Sequence, residues 1–189
     1  MVKKIKNVFP GEILTPNILD SAGIKNKKST IIGTLHSIPN AHFLLSKTKY
    51  YTPSIDDLVI GDIIYVCSEY YKVSIGHTTC VLPSLSFFNA TKRNRPMLKK
   101  GDTVLARVIK TGEEPLIGCD IEGLGQKKGY FYNLDQYKIK IIYMNTDLLQ
   151  HLGRKYKFDI ALGMNGRVWI ECDNGITSLK IYNYLNSIK

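Results

Sequence analysis

Apolar and polar residues alternate with a period of two through most of the first two thirds of the chain, which predicts strands; a period near 3.6 emerges only toward the end. In STIIGTLHSI and AHFLLSKTKYYTP, two apolar, β-prone runs flank SIPN, so a hairpin turning at Pro39-Asn40 is expected, with Pro53 marking the exit. FPGEIL, ahead of them, reads as a turn leading into a short strand, and IKNKKS as a lysine-rich loop. Residues 1–55 are therefore expected to form a small all-β unit, too short to bury a stable core alone.

Five strand candidates follow in quick succession: VIGDIIYV (59–66), YYKVSIG (70–76), TCVLP (79–83), TVLARVI (103–109) and LIGCDIE (116–122). Most are separated by short turns, whereas SFFNATKRNRPMLKKGD forms a long connection after the third. Five short strands with an excursion at that point are the layout of a five-stranded OB-type barrel, here assigned to 56–122. Tyr71, Val73 and Ile75 alternate with polar neighbours, so one side of the second strand faces a core.

Residues 123–189 mix both periods. YKIKIIYMN reads as strand, and NTDLLQHLG as a short helix capped by Asn145 or Thr146 and ended by Gly153. Phe158, Ile160 and Leu162 alternate before GMNG, and Val168 and Ile170 after it. A final helix, ITSLKIYNYLNSI, carries Ile181, Leu185 and Ile188 on one stripe. GMNG has two readings. A GxxG loop clamps nucleic-acid backbone in KH domains, where it joins two helices; Asn-Gly between alternating strands is a hairpin turn. The flanking periodicity favours a two-residue turn with positive φ at Asn165 and Gly166. The expected fold class is thus mainly β with a small α+β part: an N-terminal β unit, the barrel, and a C-terminal α/β domain of KH-like kind.

Composition sharpens this picture at few points. Of 189 residues 44% are hydrophobic, enough for a core, and no run reaches the roughly 20 apolar residues that span a bilayer. The N-terminus lacks the apolar stretch of a secretory signal, and Cys67, Cys80, Cys119 and Cys172 form no CxxC pair, so a soluble protein of a reducing compartment, cytosol or nucleus, is expected. The net charge of +10 is uneven: residues 1–55 hold eight Lys against two acids, 56–122 eight Lys or Arg against nine acids, and 123–189 ten against five. Five of the middle eight fall within KRNRPMLKK, as Lys92, Arg93, Arg95, Lys99 and Lys100, with no acid among them. Such a patch suits an anionic partner, nucleic acid first, or the surface of a neighbouring protein. The barrel loops SE and TGEEP, which flank the usual oligonucleotide face of this fold, are short or acidic and repel phosphate, leaving TKRNRP as the better contact. No HExxH, P-loop or GxSxG occurs and no carboxylates cluster at metal spacing, so no catalytic residues, metal or cofactor are assigned.

VFPGEIL, YYTPSIDDLVIGDIIYV, SLSFFNATKRNRPMLKKGDTV and KFDIALGMNGRVWIE, in that order over nearly the full length, resemble the S1/KH cap subunits of the RNA exosome. The resemblance implies a non-catalytic subunit that sits with two other S1 cap proteins on a ring of six RNase PH-like subunits, stabilises it, and leads RNA 3′ ends into its channel, in nucleus, nucleolus and cytoplasm. It implies RNA and the ring as partners, with no membrane and no small-molecule substrate. It also implies that Gly163, Asn165 and Gly166 are structural, packing where the S1 and KH units meet, and Trp169 is expected buried at that joint rather than stacked on a base. Arg167 is placed to reach either phosphate or an acid of the neighbouring unit. A free-standing S1/KH RNA-binding adaptor is the alternative.

Overall fold

The computed structural model describes residues 3–14, 17–18, 24–38, 41–46, 50–145 and 147–188. Strand β1 (Lys3–Val8) precedes the turn at Pro10-Gly11, and β2 (Ile24–Lys25) and β3 (Lys28–Ser29) form a small hairpin. Next, β4 (Gly33–Ile38) and β5 (Ala41–Leu45) pair antiparallel; the expected turn at Pro39-Asn40 lies outside the described residues. The order β1-β4-β5 makes a three-stranded sheet, with Val8, Leu14, Leu35 and Leu44 in its core. The lysine-rich loop IKNKKS is in fact the β2–β3 hairpin, and β1 is a strand that the lysines of KKIKNV concealed.

The barrel comprises β6 (Leu58–Val66), β7 (Tyr70–Ser74), β8 (Thr79–Pro83), β9 (Thr103–Lys110) and β10 (Leu116–Gly118). The order β10-β8-β7-β6-β9 closes because β10 also pairs with β9, which leaves no open edge among these five strands. Tyr71, Val73, Ile75, Leu82, Val104 and Val108 fill the interior. LIGCDIE is not one strand: β10 ends at Gly118, and β11 (Gly125–Lys127) adds beside β9 instead. Gly118 lets Ile109 of β9 pack close, since a Cβ there would sit 2.5 Å from Ile109 Cδ1, and the register against β9 shifts just before it, between Leu116 and Ile117.

The C-terminal unit runs β12 (Tyr130–Asn133), α1 (Gln136–Met144), α2 (Asp147–Gly153), β13 (Asp159–Leu162), β14 (Arg167–Glu171) and α3 (Gly175–Ser187), with β14 central between β12 and β13. Here YKIKIIYMN is helix, not strand. Asp135 caps it by accepting the Tyr137 N–H at 3.0 Å. The apparent alternation is two helical stripes superposed: Ile139 and Ile142 pack into the C-terminal core, while Tyr137 and Ile141 pack against Phe43 and Leu45 of the N-terminal sheet. A helix serving two neighbours on two faces imitates period two.

That contact carries a titratable group. His36 is 5% exposed, stacks on Phe43 at 5.5 Å, and sets Nε2 2.9 Å from Thr34 Oγ1 and 3.4 Å from Tyr137 Oη. Burial, then the charge of Lys4, pushes its pKa below the ordinary 6.5. The unfolded chain takes up a proton near that pH which the folded chain resists. Stability is therefore expected to be full above about pH 6.5 and to fall as the pH drops from there toward the lowered value; His36→Gln should flatten that fall in urea unfolding measured between pH 7 and 5.

Candidate nucleic-acid interface

Gly163–Gly166 connects β13 to β14, and the loop is one residue longer than the sequence suggests. Gly163 N–H donates to Arg167 O at 2.8 Å and Gly166 N–H to Gly163 O at 2.9 Å, so Met164, Asn165 and Gly166 form the turn. Within it only Gly166 has positive φ, at +91°, which is the three-residue hairpin with its last residue left-handed. The two-residue turn with positive φ at both positions does occur in this chain, at Asn26-Lys27 (φ 51° and 57°), joining β2 to β3.

The longer loop frees Asn165 to reach the barrel. Its Oδ1 accepts the Ile60 N–H at 3.2 Å, and its Nδ2 donates to Ile60 O at 2.8 Å and Ile75 O at 3.1 Å. Met164 N–H adds a bond to Leu58 O at 2.7 Å. One amide thus pairs three backbone groups of β6 and the end of β7, which no other side chain of this size and polarity reproduces. Gly163 is required by proximity, since a Cβ would lie 2.5 Å from Asn165 Oδ1 and 3.1 Å from Ile60 N. Behind this clamp Trp169, 5% exposed, packs on Ile60 and Leu105 of the barrel, donates Nε1–H to Lys128 O at 2.8 Å, and lies under Lys127 Nζ at 4.5 Å. Arg167 Nη1 pairs with Asp62 at 2.7 Å, so it engages an acid of the barrel.

The basic connection between β8 and β9 is built rather than loose. Thr91 and Asn94 exchange backbone bonds at 3.0 and 3.1 Å, which puts Lys92 and Arg93, both exposed, at the tip of a tight turn. Arg95 folds back instead, donating to Ser68 O and to Ser84 Oγ. Tyr71 Oη–H bonds Pro96 O at 2.8 Å and Leu98 is buried, so the loop is pinned where it returns to the barrel. Lys99 and Lys100 are exposed just beyond. The structure therefore splits the five: four project, and Arg95 braces. Across the barrel Lys72 is paired with Glu114 at 3.4 Å, which neutralises the one cation of β7.

The sequence between α1 and α2, residues 145–146, contains no glycine and so lacks the GxxG pattern of a KH phosphate clamp. Among the described residues no three His, Cys, Asp or Glu side chains come together as a metal site. Sequence reasoning missed Asp62 as the partner of Arg167, because Gly-Asp within an apolar strand looks like an exposed charge, and missed Phe131 and Asn133 beside it.

A closed OB-type barrel fixed by a Gly-x-Asn-Gly hairpin to an α/β unit defines an S1/KH protein. The chain belongs to the family of the exosome complex component RRP40: residues 51–130 match the S1 domain of that protein, and 129–176 match a KH domain. Exosome complex component rrp40 of Schizosaccharomyces pombe is 35% identical over 201 residues, covering 92% of this chain and 84% of the relative. RRP40 of Saccharomyces cerevisiae is 36% identical over 149 residues, covering 71% and 62% respectively. A crystal structure assigned as an exosome complex RNA-binding protein superposes with a TM-score of 0.62 at 25% identity, covering 74% of this chain and 87% of the other.

Proposed function

We propose that this chain is a non-catalytic, RNA-binding cap subunit of the RNA exosome, stabilising an RNase PH-like ring alongside other S1 cap subunits and guiding RNA 3′ ends into the channel for 3′–5′ processing and decay. The observation that carries this is the likeness of nearly the whole chain to a named exosome component. The free-standing adaptor gains no support, because the relatives that match over most of their length are themselves exosome components. In this reading the chain follows the complex to nucleus, nucleolus and cytoplasm, and divides into functional parts at 1–55, 56–122 and 123–189. Lys92, Arg93, Lys99 and Lys100 serve as the contact for RNA backbone or a ring subunit, with Arg95 holding their loop in place.

Affinity purification of the tagged chain, with co-purifying proteins identified by mass spectrometry, tests the assignment; RNase PH-like subunits are expected, and their absence removes it. Lys92→Glu with Arg93→Glu is expected to leave the melting temperature within about a degree or two, since both are exposed surface residues. The same pair should weaken RNA or ring association several-fold. For RNA, the slope of log affinity against log salt should become shallower by about 2, roughly one for each cation that no longer faces a phosphate. If both associations survive, the turn is a solvated loop.

A further inference from the structure

A cleft of about 400 Å³ opens where β6, β7 and β12 meet the Gly163–Gly166 loop. Its chemistry differs from that of the basic turn. It holds one cation and one anion, Arg167 and Asp62, already paired at 2.7 Å, while the second Asp62 oxygen accepts the Thr103 hydroxyl at 2.7 Å. The pair cancels, so the cleft does not select a phosphate; its remaining polarity suits a neutral group rich in hydrogen-bonding edges. The Arg167 guanidinium lies over the Phe131 ring at 5.5 Å, and its side chain is 21% exposed, so part of the planar fork stays open to the cleft. The Asn165 amide is engaged by the β6 and β7 backbone, which leaves along the wall Asn133 and Ser74, whose hydroxyl donates to Gly76 O at 3.4 Å and keeps its lone pairs for a ligand. At the rim His77, one residue beyond the cleft-lining Gly76, makes an edge contact with Tyr50 at 4.2 Å, and Tyr50 is 50% exposed. Flat cationic platform, amide and hydroxyl edges, exposed aromatic pair and a volume fit for one nucleoside occur together here.

We propose that the cleft seats one unpaired RNA base, stacked on the Arg167 guanidinium with its polar edge toward Ser74 and Asn133, and that Tyr50 and His77 stack the next nucleotide at the rim. This rests on the RNA-guiding reading above and names a base-contacting site distinct from the phosphate-contacting turn at Lys92 and Arg93.

The test is photo-crosslinking of a short single-stranded RNA containing 4-thiouridine to the full chain, alone and after capture with its ring, with cross-linked peptides mapped. Crosslinks within 74–77 and 130–133 are expected; crosslinks confined to other segments, or none, overturn the proposal. In parallel, Arg167→Lys keeps the charge opposite Asp62 but removes the planar platform, and Asn133→Ala removes a hydrogen-bonding edge. With the fold intact, Arg167→Lys is expected to weaken RNA binding about tenfold, as removing the support of one stacked base does, and Asn133→Ala about fivefold, as losing one neutral hydrogen bond does. The salt dependence should not change, because every phosphate keeps its cation, whereas it does fall in the Lys92→Glu, Arg93→Glu variant. Unchanged affinity in both variants, or a salt slope that falls with affinity, overturns the site. Ring capture without these crosslinks sinks this proposal alone; crosslinks without ring capture sink the exosome assignment and leave the cleft standing.

Discussion

Trp169→Ala is expected to lower the unfolding free energy by about 4 kcal/mol, within the range for removing a large buried aromatic side chain. The site explains why the cost is large. Trp169 is 5% exposed and fills the space between Ile60 and Leu105, so its removal opens a cavity between two rigid sheets that cannot collapse without moving one against the other. It also leaves Lys128 O without the indole N–H that reaches it at 2.8 Å. Trp169→Phe separates the two contributions, keeping most of the apolar volume and removing the donor, and should cost about 1–2 kcal/mol. Urea unfolding followed by circular dichroism measures both variants; the chain's single Trp disappears, so Trp emission cannot serve. A destabilisation by Trp169→Ala of less than about 1 kcal/mol is incompatible with the packing described.

Gly166→Val is the second large effect, about 3 kcal/mol from backbone strain and crowding together. Gly166 adopts φ +91°, a region costing an L residue roughly 1–2 kcal/mol and a β-branched one more. A Cβ would also meet Leu134 O at 2.8 Å, and Leu134 N–H in turn donates to Gly166 O at 2.8 Å, so backbone has to move to make room. Because the turn presents Asn165, its distortion is transmitted to the joint with the barrel, and a broader, less cooperative melting curve should accompany the drop in stability. Gly153→Ala is the control. It ends α2 with nothing within 4 Å of the added methyl, and it should melt no lower than the parent.

Much of this architecture was legible in the residues. Strict alternation in YYKVS and TCVLP specified buried strands, because a barrel wall has one dry face and periodicity reports that directly. The α3 stripe was equally plain, since Ile181 and Leu185 bury against a single partner layer. Reading failed where one element answered to two surroundings. In α1 the apolar residues serve the C-terminal core and the N-terminal sheet at once, and their sum has the wrong period. In KKIKNV the four residues from Lys4 to Asn7 are all exposed and only Val8 is buried, so no alternation existed to be read. The basic turn was visible as composition, but not that Arg95 bends back onto Ser68 and Ser84, since charge does not state what a side chain touches. Asp62 and Arg167 lie 105 positions apart, and no local signal links them.

The joint made by Asn165 has a thermodynamic consequence for whatever lies across it. The barrel and the hairpin unit are tied by three hydrogen bonds from one amide, backed by a buried indole. Had a flexible tether joined them, a ligand touching both would have to arrest their relative tumbling, and that forfeited freedom would be subtracted from its affinity. Here the arrest takes place during folding. A strand of RNA, or a neighbouring subunit, meets both surfaces already in register, so weak individual contacts on either side add together from the first encounter.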